Sequence, residues 1–223
     1  MKNFDTVPWG WLESWTARIF LIAGAWFVGY AGLKVTRLLT EIVVPDVVSV
    51  TVGHLGLLVL ALGLLGLYPQ VHGAAPRLAS AGAVTSVLSG VCSVVLVLAV
   101  IQLTLSIGGF PAIPEDTAQG FLPPFVGVVL LLVSLLTILL GSLLFGIATV
   151  RTDVVSEPIG YLLLVPSIMW TMLFLMHATG VNGTLIGVIV YSPIGVSLLT
   201  IGYRLRSENV TPGHPKSSVD SPA

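Results

Sequence analysis

The sequence predicts an all-α membrane protein of about six transmembrane helices gathered in one bundle, with both termini on the cytoplasmic side (N-in, C-in). Three observations predict it: a charge content too low for water, six apolar stretches of spanning length, and a lopsided distribution of Lys and Arg. Only 9% of the 223 residues are charged while 55% are hydrophobic, and the mean hydropathy is +1.02. A soluble domain carries roughly 25% charged residues. A surface so poor in charge finds its solvent in lipid, so the lipid bilayer is the first partner expected and a multi-pass place in the cell membrane follows. The net charge of −1 offers no basic field, and no nucleic acid partner is expected.

A helix needs about 20 mostly apolar residues to cross the hydrocarbon. The stretches that qualify are 16–34, 48–68, 78–108, 122–150, 159–178 and 183–203. The third and fourth are long enough to require tilt or a turn outside the hydrocarbon. The first is read as a retained helix, because no small-residue cleavage site follows it. Residues 16–206 thus form the transmembrane domain. Residues 1–15 precede it as a Trp-rich interfacial segment, with Trp9, Trp11 and Trp15 suited to the headgroup region. Residues 207–223, rich in Ser and Pro, read as a disordered cytoplasmic tail.

Direction follows from the basic residues. With the N-terminus inside, Lys2, Arg18, Arg77, Arg151, Arg204, Arg206 and Lys216 are cytoplasmic, and only Lys34 and Arg37 lie outside: seven against two. The predicted inner turns carry Pro69, Pro76 and Arg77, then Arg151, Thr152 and Asp153. The outer connection at 108–122 holds Pro111, Pro114, Glu115 and Asp116 without a basic residue.

Small residues are expected to set the packing, since lipid gives apolar helices no hydrophobic drive to associate. Gly183 and Gly187 stand at GxxxG spacing in the sixth span, with Gly195 and Gly202 on the same side. That stripe is suited to a neighbour within the chain or to a homo-oligomer or other membrane protein partner, and the pattern does not choose. Gly53, Gly56, Gly63 and Gly66 gather on one side of the second span, and Gly82, Ser86, Ser89, Gly90 and Ser93 enrich the third, which is expected to be central. Pro166 and Pro193 are expected to kink the last two helices.

Ionisable groups deep in a membrane usually mark function. No Asp, Glu, Lys or Arg falls near the middle of any span, which argues against a proton-driven pump, a voltage sensor or a retinal Schiff base. No HExxH motif, no pair of membrane aspartates and no GxSxG-like turn appears. The single Cys92 sits in an apolar stretch and reads as a buried small residue. No enzyme activity is therefore expected. His54 and His177 are the candidate site residues: both lie toward the outer end, at a depth where two imidazoles suit a haem or a metal. His54 points roughly 170° away from the glycine stripe of its own helix, at ~100° per residue, and so belongs to a different contact. Met169, Met172 and Met176 form a neighbouring stripe, read as gap-filling side chains.

The sequence is best read as a non-catalytic accessory or lipid- or partner-binding membrane component. Two alternatives stand beside it: a facilitator of a small neutral solute, using the Ser-rich third helix, and a haem- or quinone-binding electron-transfer subunit built on His54 and His177.

Overall fold

A computed structural model describes residues 9–40, 46–106, 124–152, 154–180 and 182–210. The described residues form six helices: α1 (Trp9–Leu39), α2 (Asp46–His72), α3 (Pro76–Ser106), α4 (Pro124–Thr152), α5 (Glu157–Ala178) and α6 (Gly183–Val210). All six are long and apolar enough to cross a membrane. The chain is a polytopic membrane protein whose spans satisfy their backbone polar groups internally, as hydrocarbon requires. The predicted outer loop with Glu115 and Asp116, the inner residue Asp153 and residues 211–223 lie outside the described residues.

Each helix packs on the next in sequence, and α6 closes back on α1. The ring has no hollow middle, because α2 also reaches α4 across it. Phe20, Leu60, Leu64, Ile138, Phe145, Leu163 and Ile194 fill the centre with no exposure to solvent. Serine and threonine lie inside as well, whereas Val84, Val91, Leu98, Val128, Ile168 and Leu175 point outward. Apolar residues facing out and hydroxyls facing in is the arrangement expected of a bundle solvated by lipid.

The glycine stripes are the contact faces. On α2, a β-carbon at Gly56 would lie 2.9 Å from Trp26 Cδ1, and one at Gly63 would lie 3.3 Å from the Phe20 ring. Gly66 meets Thr16. That stripe receives α1, and Trp26 adds an interhelical hydrogen bond by donating to the Val52 carbonyl at 2.7 Å. On α6, a β-carbon at Gly195 would lie 2.8 Å from the Val28 backbone nitrogen, and one at Gly202 would lie 2.7 Å from the Ala17 carbonyl oxygen. Of the two packing partners open to the α6 stripe, its lower half takes α1 of the same chain. On α3, Ser89 donates to the Ser134 carbonyl at 3.0 Å, and the Ser93 and Ser134 hydroxyls pair at 2.9 Å.

Boundaries differ from expectation in three places. The Trp-rich segment is already helical from Trp9, so Trp11 and Trp15 are successive turns of α1, with ring centroids 5.8 Å apart and the Arg18 guanidinium 4.7 Å above Trp15. Pro69 does not mark the turn but lies inside α2, which continues to His72. Pro69 removes the N–H that the Leu65 carbonyl would accept, and α2 ends within a turn of it. Helix α6 runs to Val210, past the expected start of the tail at 207.

Candidate functional site

Two adjoining cavities open at the end of the bundle where α1 and α5 finish and α4 and α6 begin. The vestibule, about 510 Å³, has Lys34 and Arg37 from α1, His177 from α5, and Gly183, Thr184 and Gly187 from α6 on its rim. The inner chamber, about 120 Å³, is bounded by Gly53, His54 and Leu57 from α2 and Trp170 from α5. Tyr30, Leu131, Leu135 and Tyr191 line both.

Local sequence explains why these groups meet. Gly180, at φ +72°, occupies the left-handed conformation that ends α5, and its N–H donates to the His177 carbonyl at 3.2 Å. Asn182 then caps α6, its Oδ1 accepting from the Thr184 N–H at 2.8 Å. This tight reversal sets the last turn of α5, with His177, beside the first turn of α6. The positive dipole end of α6 therefore faces the same rim as Lys34 and Arg37, with its Thr184 and Leu185 N–H groups already capped by Asn182 Oδ1.

Gly187 has a second purpose here. A β-carbon on it would lie 3.2 Å from Lys34 Cγ and 3.4 Å from Cδ. The missing side chain gives the lysine stem a groove on α6, and the ammonium ends 5.1 Å from the Tyr30 ring centroid. Cation–π attraction of this kind contributes about 0.5–1 kcal/mol at exposed sites.

Below the rim the rings interlock. Tyr191 stands 4.7 Å from Tyr30 and 5.4 Å from Trp170, edge to face in both cases, and stacks on Phe27 at 5.9 Å. Trp170 is 1% exposed, and its indole Nε1 is buried without a hydrogen-bond partner. A donor left in that state costs about 1–3 kcal/mol.

The two candidate histidines lie on different storeys. His54, 6% exposed, lines the chamber, whereas His177 lines the vestibule with its Nδ1 at 2.9 Å from the Leu173 carbonyl oxygen. Gly56, Gly63 and Gly66 face α1, while His54 shares its chamber with Leu131 and Leu135 of α4. Met169, Met172 and Met176 line neither cavity. Among the described residues no group of three His, Cys, Asp or Glu side chains gathers. Comparison with family models, curated proteins and solved structures returned no match. The site is therefore read from its own geometry. The sequence singled out His54 and His177 as site candidates and Lys34 and Arg37 only as outer-side charges, and it did not point to Tyr30, Trp170 and Tyr191. Aromatic residues inside an apolar span look like any other core residue until their neighbours are known.

Proposed function

We propose that this chain is a membrane-embedded binding protein that takes a small ligand from the end of the bundle at which Lys34 and Arg37 lie. The observation that carries this reading is the pair of adjoining cavities: an open rim bearing Lys34 and Arg37 borders a smaller chamber walled by Tyr30, Trp170 and Tyr191. Binding sites are usually concave, mostly apolar and equipped with a few convergent polar groups. The Ser-rich α3, which a facilitator would use as a lining, instead has Ser89 and Ser93 engaged with Ser134 in helix packing. Lining by Tyr30, His54, Trp170 and Tyr191 without an acid–base pair or nucleophile favours binding over catalysis.

Native mass spectrometry of the protein, gently extracted from its own membrane, tests this. A stoichiometric small-molecule adduct is expected, and Gly53→Leu should remove it. The β-carbon position at Gly53 is 3.9 Å from Tyr30, so the larger side chain has room to enter and fill the chamber. A bare mass from freshly extracted membranes, with the fold intact, would defeat the binding reading.

A further inference from the structure

Resting on that binding reading, we infer that the chamber receives a neutral, flat ring compound through a carbonyl oxygen, which accepts a hydrogen bond from Trp170 Nε1.

Trp170 fixes the polar group. An indole N–H can only donate. Trp26 of α1, also inside a span, gives its N–H to the Val52 carbonyl at 2.7 Å. Trp170 is 1% exposed, and its Nε1 has no such acceptor. Its ring neighbours Phe27 and Tyr191 stand edge to face with it and leave the N–H unanswered. Trp170 is also a wall of the chamber, so the donor lacking a partner and the room for one meet at a single residue.

The lining fixes the charge. Among the described residues that bound the chamber there is no Asp, Glu, Lys or Arg. An ion would lose its water there without a counter-charge, so the occupant is neutral. Three aromatic rings could also cage a quaternary ammonium, but such a cation has no lone pair to offer Trp170. A ligand hydroxyl would bring a donor of its own. A carbonyl accepts and brings none, which suits walls that include Leu57, Leu131 and Leu135.

The rings and the volume fix the shape. Tyr191 meets Tyr30 at 65° and Trp170 at 74°, and such walls favour a flat ring through edge-to-face contact. The chamber's volume of about 120 Å³ is close to the ~150 Å³ of an engineered cavity that admits one benzene ring. Any further bulk lies in the vestibule, which shares Tyr30, Leu131, Leu135 and Tyr191 with the chamber. A quinone head is one compound of this class.

The test uses the full chain in phosphatidylcholine nanodiscs, with isotope-labelled tryptophan for magnetic resonance. Two ketones, acetophenone and benzophenone, are set against α-methylstyrene and geminal diphenylethylene, isosteres that keep the shape and lose the acceptor. At least one ketone should move the Trp170 indole N–H resonance downfield in a saturable way, while its isostere does not. Corrected for partition into protein-free nanodiscs, that ketone should bind about fivefold more tightly than its isostere. Trp170→Phe identifies the signal and should erase the preference. Gly53→Leu, by filling the chamber, should abolish the shift and leave the Trp26 signal in place. Should Trp170→Phe fail to fold, the ketone-to-isostere ratio on the unaltered chain carries the test alone. Equal binding of ketone and isostere overturns the assignment, as does binding of neither ketone. A Trp170 N–H that contacts bound water, and still does at saturating ketone, overturns it too, because water would then be the donor's partner. A charged or carbonyl-free adduct in the native mass spectrum alongside failure of both ketones would sink this ligand class while the binding reading stands; a bare mass would sink both.

Discussion

Gly24 of α1 and Gly195 of α6 cross backbone against backbone: a β-carbon on Gly24 would lie 2.8 Å from the Gly195 carbonyl oxygen, and one on Gly195 would lie 3.0 Å from that of Gly24. The same reciprocal contact joins α4 to α5, where β-carbons on Gly146 and Gly160 would each lie 3.2 Å from the other's carbonyl oxygen. Two glycine crossings thus hold the pairs of helices on either side of the site. Close approach lets backbones gain dispersion contacts that lipid would otherwise supply.

Gly195→Ala and Gly24→Ala should each destabilise the protein by about 1–3 kcal/mol, since the rigid neighbour cannot yield to the added methyl. Gly32 and Gly127, also helical, have nothing within 4 Å of a β-carbon position. Their alanine variants should be neutral or slightly more stable, through helix propensity alone. Unfolding curves in mixed micelles compare the four. Equal effects at all four positions would show that the crossings are loose enough to admit a methyl.

The contrast between these glycines explains what the sequence could and could not reveal. The stripe on α6 was legible from spacing, as were the stripes on α2 and α3, because a helix repeats its faces every 3.6 residues. The partners were not. Gly24, Gly146 and Gly160 stand singly against an apolar background, and nothing in α1, α4 or α5 alone says which face meets which helix. The candidate site divides the same way. His54 and His177 stood out because polar groups are scarce in spans, and Lys34 and Arg37 stood out only as the outer-side exceptions to the charge bias, whereas Tyr30, Trp170 and Tyr191 became a chamber only when three helices met.

Ser134 of α4 is the polar hub between α3 and α4, accepting from Ser89 at its carbonyl and pairing with Ser93 at its hydroxyl. Hydrogen bonds between membrane helices contribute about 0.6 kcal/mol on average, because the separated helices find other partners. A double-mutant cycle of Ser93→Ala and Ser134→Ala should return a coupling of about that size. Coupling near zero would mean that the two hydroxyls bond back to their own helices instead.

Both termini should be cytoplasmic, a consequence of the seven-to-two bias rather than of the bundle geometry. Single cysteines report this directly, and the native Cys92 is buried enough to stay silent. Ala178→Cys, exposed at the end of α5, should react with an impermeant maleimide on intact cells; Ser207→Cys, exposed near the end of α6, should react only after lysis. The reverse pattern would turn the protein over and put the vestibule on the cytoplasmic face.

Gly187 and Gly195 lie on one helix and on one stripe, yet substitution should separate them. A methyl on Gly195 runs into the fixed backbone of α1, but the nearest atoms to one on Gly187 belong to the flexible stem of Lys34. Gly187→Ala should therefore leave stability within about 0.5 kcal/mol of the parent. Its consequence should appear at the rim instead: the stem is lifted out of its groove, and the ammonium loses its position over Tyr30. A ligand held at the rim should bind about two- to fivefold more weakly, the scale of a lost cation–π contact, while the melting curve stays in place. Gly195→Ala should do the opposite, lowering the melting point with little change in affinity among molecules still folded. If Gly187→Ala instead unfolded the protein as readily as Gly195→Ala, the upper half of the stripe would be a packing face like the lower, and Lys34 would owe its position to some other contact.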